Sequence, residues 1–137
     1  MKINRPLTVY LLIALMVFTG LGGLVGGMAF LHDPTGSTMG LSLALLAGSP
    51  FHSYLVPGLF LLLILGLGPL AIAVALWQGH PRAWDASLAM GATLMLWITI
   101  ETSIIGLGSW MQPFFFLVGA AMMGLTVAPA SRRYTNA

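Results

Sequence analysis

Four long apolar runs, separated by short polar or turn-forming stretches, dominate the pattern along the chain. The first covers about 7–31, after Pro6 and before His32-Asp33-Pro34. The second covers about 54–78, from Tyr54 to Gln78, the third about 84–107 and the fourth about 110–129, ending near Pro129. At 1.5 Å per residue each is long enough to cross a hydrocarbon core of about 30 Å. A closed β-barrel is the other structure lipid permits, but Leu59-Phe60-Leu61-Leu62-Leu63-Ile64-Leu65 does not alternate. The pattern predicts an all-α membrane protein, a four-transmembrane-helix bundle in which residues 1–137 form a single domain.

The connections are short except for the first outer loop, 32–53. It opens on a turn signal, Asp33-Pro34-Thr35-Gly36. Ser37 or Thr38 suits a helix start, and Gly48 with Pro50 suits its end. Leu41, Leu43 and Leu45 alternate as a strand would, but an isolated strand leaves backbone groups unpaired, so a short interfacial helix is expected. Pro57 falls in the first turn of the second span, where a missing N–H costs little.

Composition sharpens the class. Hydrophobic residues make up 58% of the chain and charged residues 6%, against roughly 25% charged in average soluble domains. Mean hydropathy is +0.98. That excludes a soluble globule and a disordered chain. With no cysteine there are no disulfides, thiolate metal sites or dithiol chemistry. The pI near 9.5 comes from five scattered basic residues that form no nucleic-acid patch.

Those charges carry topology instead. Lys2 and Arg5 precede the first span, Arg82 lies between the second and third, and Arg132 and Arg133 follow the fourth. The positive-inside rule places both termini and the 79–83 turn in the cytoplasm. Tyr10, Trp77 and Trp84 then fall near the inner interface, and Tyr54 and Trp110 near the outer one. The first run exceeds the roughly 7–15 residues of a signal-peptide core and no Ala-x-Ala site closes it, so it is expected to be retained as a span.

Glycines mark packing. Gly22/Gly26 and Gly23/Gly27 are small-xxx-small pairs that let helices approach closely, within the bundle or toward a partner. Pro69, after Gly66 and Gly68, is expected to kink the second span.

Glu101 is the informative polar residue. It is the only charge between Asp85 and Arg132, and it lies inside the third span. An ionisable residue at that depth costs on the order of 2.5–3.5 kcal/mol, so it is expected to face the interior near Thr99, Thr102 and Ser103. Trp97 is one turn below on the same face. From the outer loop come His32, Asp33, His52, Ser49 and Ser53, and from the start of the fourth span Trp110 and Gln112. Four readings of this set stand open. It is a ligand-binding pocket for a lipid head group or amphiphile, or an active site with Glu101 as acid or base and His52 as partner. It is a metal site of His32, His52, Asp33 and Glu101, a reading that lacks any short ligand spacing. Or Glu101 only locks the loop to the helices. No phosphate-binding glycine loop and no Gly-x-Ser-x-Gly elbow occurs. Four-helix exporters of this size resemble one another by a carboxylate in the first span, and none is present here.

Asp33-Pro34-Thr35-Gly36, Gly48-Ser49-Pro50-Phe51, Tyr54-Leu55-Val56-Pro57-Gly58-Leu59 and Ser109-Trp110-Met111-Gln112-Pro113 resemble a group of small bacterial four-span membrane proteins without an assigned activity. The resemblance implies a bacterial inner-membrane location and no particular chemistry. The chain is similar to DoxX-like proteins in size and span count only. It also shares these with vitamin K epoxide reductase-like proteins, which depend on paired cysteines that this chain lacks.

These readings lead to a non-enzymatic membrane protein, either an accessory subunit of a larger complex or a lipid-binding module, without cofactor or metal. Membrane lipid is the expected partner, with other integral subunits or a second copy also compatible and nucleic acid excluded. The alternative is a small enzyme acting on an amphiphile at the outer interface through Glu101.

Overall fold

The computed structural model describes residues 6–37, 43–106 and 111–128; Trp110, Lys2, Arg5, Arg132 and Arg133 lie outside the described residues. Helix α1 is Leu7–His32, and α2 is Leu55–Leu62. A π-helical turn, Leu63–Leu67, joins α2 to α3, Gly68–Trp77, so that Leu55–Trp77 is one rod. Helix α4 is Ala83–Ile105, and α5 is Met111–Val127. No strand occurs among the described residues. Three of the rods are long and apolar enough to cross a membrane, and α5 is shorter.

The ends of the helices follow from local chemistry. The Pro6 carbonyl accepts from the Val9 and Tyr10 N–H groups at 3.0 and 3.3 Å, which starts α1. The Asp33 N–H still donates to Ala29 O at 2.9 Å, and Pro34 cannot continue the ladder. Helix α4 stops at Gly106, whose φ of 80° is open to glycine and strained for other residues.

Helix α1 packs along α2 and α3 on one side and touches α5 on the other, while α4 pairs with α5 and also meets α3. Two glycine contacts hold these pairs close. On α1, a Cβ at Gly23 would overlap the Leu65 carbonyl, and one at Gly27 would lie 2.7 Å from Leu62 and 2.8 Å from the Gly58 carbonyl. Between α4 and α5, Gly91 and Gly119 face each other, each so near that a Cβ would sit 2.9 Å from the other's carbonyl oxygen. Gly22 and Gly26 have the same sequence spacing but a different setting. Their added Cβ atoms would meet only Phe115 and Leu61, at an ordinary 3.7 Å.

The position where Pro69 is expected to kink the second span carries a π-helical turn directly before it. The Gly68 N–H reaches back five residues to Leu63 O, and the widened turn accommodates the proline, which supplies no N–H of its own. The core between the rods is Leu12, Met16, Leu65, Leu76, Leu94 and Met122 with their neighbours. The outward faces are equally apolar: Val25 is 70% exposed and Leu117 66%.

In its described part, the short helix expected in the first loop is one 3₁₀ turn, Leu43–Leu46. The Ser49 hydroxyl caps it by donating to Leu46 O at 2.7 Å, and Gly48 reverses the chain at φ 83°. Leu46 then packs with Phe30 and Tyr54, whose rings stack 5.1 Å apart, and the Tyr54 N–H donates to Pro34 O at 2.8 Å. The loop is thereby fastened over the ends of α1 and α2.

The difference between neighbouring glycines is measurable. Gly23→Ala is expected to lower stability by about 1–3 kcal/mol, the usual effect of overpacking, and Gly22→Ala to leave it unchanged or raise it slightly. Thermal melting in mild detergent checks this; equal effects at the two positions would contradict the packing described.

Candidate functional site

Glu101 is half-buried on α4. One turn below it the Trp97 indole stacks on Phe60 of α2, with centroids 4.6 Å apart and planes 24° from parallel. The Trp97 Nε1–H is buried and has no acceptor at hydrogen-bond distance. The Glu101 carboxyl is the ionisable group in its vicinity. The same carboxyl lies within electrostatic reach of the Tyr54 phenol at the start of α2. Ile104, a turn above, packs against the Phe30–Leu46–Tyr54 cluster. Trp97 and Glu101 thus lie along α4 near the loop end of α2, among aromatic and aliphatic side chains. The nearby hydroxyls turn elsewhere: Thr99 donates to Met95 O at 2.8 Å and Ser103 to Ile100 O at 2.7 Å.

The loop residues are placed differently. His32 and His52 are exposed, and neither is among the groups acting on Glu101. The Asp33 carboxylate receives the Thr35 hydroxyl and, at 3.2 Å, the Thr35 N–H; the Ser37 hydroxyl donates to its second oxygen at 2.7 Å. Those bonds organise the turn that follows α1. Among the described residues, no three of His, Asp and Glu gather as metal ligands. Gln112 is buried, and its Nε2 donates to Gly106 O at 2.9 Å, tying the start of α5 to the end of α4.

A groove of about 520 Å³ opens beside this tie, between the C-terminal part of α4 and the N-terminal part of α5. Thr99, Thr102 and Ser103 edge it from α4; Gln112, Phe116 and Leu117 do so from α5. Glu101 does not line it, nor do Trp97, His32, His52 and Asp33. Sequence reasoning considered Thr99, Thr102 and Ser103 only as partners for Glu101 and missed Phe116 and Leu117 as a wall. The i, i+3, i+4 spacing of 99/102/103 and of 113/116/117 was the available signal.

The arrangement has an apolar floor, hydroxyl and amide edges and no charge, which suits part of an amphiphile rather than an ionic substrate. No family model, no characterised protein and no solved structure matches the chain.

Because the Trp97 N–H makes no direct hydrogen bond while its ring stacks on Phe60, Trp97→Phe is expected to cost less than about 1 kcal/mol. Trp97→Ala, which also removes the stacked ring, is expected to cost about 3–5 kcal/mol. Melting of the two variants in the same detergent separates these contributions, and a large loss in Trp97→Phe would contradict the assignment.

Proposed function

We propose that this chain is a four-span integral membrane protein, both termini cytoplasmic, that binds a membrane amphiphile without transforming it. The groove between α4 and α5 carries the reading, because it joins apolar walls to a short row of hydroxyls at the outer end of the bundle. The length and apolar character of the three long rods and the outward-facing leucines, valines and phenylalanines support insertion of the whole bundle. The one-sided distribution of Lys and Arg supports the orientation. The resemblance of the outer loop extends the proposal to a bacterial inner membrane.

The enzyme alternative gains no geometric support. His52 stands exposed on the loop, and Glu101 does not line the groove. General acid–base work needs the titrating group within reach of the substrate atom.

The test is native mass spectrometry of the full chain purified in mild detergent from its own membrane. A retained lipid or other amphiphile is expected in the wild-type protein, with several-fold less in Thr102→Trp, whose indole fills the groove. Equal retention in both would remove the groove from consideration. Larger proteins at fixed stoichiometry, with no bound amphiphile, would replace this reading with that of an accessory subunit.

A further inference from the structure

A second groove lies at the other end of the molecule, between α1 and α3. Ile13 and Val17 form one wall and Leu70, Val74 and Trp77 the other, around a volume of about 380 Å³. Gln78 closes its end. Val74 and Trp77 are exposed, so the slot opens outward along the face that the proposed insertion turns to lipid.

Past Gln78 the chemistry changes within a few residues. Tyr10, one turn before Ile13, meets the Trp77 ring edge-on at 6.3 Å. Such amphipathic rings settle at the head-group level of a bilayer. The turn that follows exposes His80 and Arg82. Along the sequence Lys2 and Arg5 precede α1, and Arg132 and Arg133 follow α5. Arg82 is the described basic residue at this end, against one acid, Asp85, while the sequence of the loops of the other end contains neither Lys nor Arg.

We propose that the α1–α3 groove seats one acyl chain of an anionic phospholipid whose head group is held at the Arg82 end. An apolar slot by itself accepts any acyl chain, and a basic end by itself only sets orientation. Together they fix a chain and a charge on the same lipid, because the slot ends where the basic turn begins. An anionic head group is attracted there through the low-dielectric edge of the membrane, and a zwitterionic one gains far less. The proposal concerns a different groove from the one between α4 and α5 and does not depend on its occupant.

The experiment reconstitutes the full chain into nanodiscs of equimolar phosphatidylcholine and phosphatidylglycerol, releases it into mild detergent and counts retained lipids by native mass spectrometry. One phosphatidylglycerol is expected to remain, favoured over phosphatidylcholine by about fivefold or more, the effect of one basic residue near an anionic surface. Arg82→Gln should reduce that preference several-fold without changing the melting temperature. Val74→Trp, a substitution at an exposed position, should abolish retention by filling the slot. Thr102→Trp, in the other groove, should leave phosphatidylglycerol retention unchanged, so that failure here and failure of the amphiphile-binding reading are read separately. Equal retention of the two lipids, or a preference that survives Val74→Trp, would overturn the proposal.

Discussion

Where α1 crosses the second rod, no side chain separates the two backbones. Gly23 rests against the Leu65 carbonyl and the Gly66 nitrogen, and Gly27 against Leu62 and the Gly58 carbonyl. Under the proposed insertion in lipid, where no hydrophobic force draws apolar helices together, close packing of this kind supplies the association. The π turn makes it possible. Gly58 and Gly66 are eight residues apart, which in an uninterrupted α-helix puts them roughly 80° out of line. One extra residue held in a widened turn reduces the effective separation to about seven steps, and the misalignment to roughly 20°. Gly58 then meets Phe30 and Gly27 while Gly66 meets Leu24, all on α1. Pro69, at the start of α3, belongs to the same device, since a residue without an N–H is tolerated where the α-helical ladder is already interrupted.

This dependence explains what the sequence discloses and what it hides. The apolar runs become helices at nearly the places where they begin and end, because in a chain this apolar the breaks at Asp33-Pro34, Gly48-Ser49-Pro50, Gly79 and Gly106 are strong punctuation. Which face of each helix turns inward is another matter. Leu117, Val25 and Leu96 point outward and are as apolar as buried Leu12 or Leu94, so no amphipathic stripe distinguishes them. Gly22/Gly26 and Gly23/Gly27 illustrate the limit: two identical spacings, one residue apart, of which the second meets backbone and the first meets side-chain ends. Only the position of the partner helix separates them.

The candidate site divides in the same way. Glu101 is conspicuous in the sequence as a lone carboxyl in an apolar run, and Trp97 follows from it by helical spacing. Phe60 and Tyr54 come from a different rod and reach Glu101's surroundings through the register that the π turn sets, which no local pattern encodes. The His and Asp residues of the loop look like site residues because they are polar near an outer end. Asp33 instead organises its own turn with Thr35 and Ser37, the common local use of a carboxylate directly after a helix.

Both grooves follow from the glycine contacts. Helices that touch backbone to backbone at one level separate on either side of it, and ordinary side chains then fail to fill the widening space. The α4–α5 contact at Gly91 and Gly119 lies about seven residues, or roughly 10 Å, from Ile98, where the outer groove begins. On α1, Gly20 presses on Leu70 and the Gly66 carbonyl, and the inner groove runs from Val17 to Ile13 over the next two turns. Each cavity is therefore the far side of a tight crossing, at opposite ends of the molecule. Their polar edges differ because the ends differ. At the α4–α5 groove the hydroxyls of Thr99 and Ser103 satisfy their own protons on the helix carbonyls, so they line an apolar groove without unpaired donors. At the α1–α3 groove the polar limit is Gln78 and the turn with Arg82 beyond it. Small residues that bring two helices together thus also determine where the bundle opens.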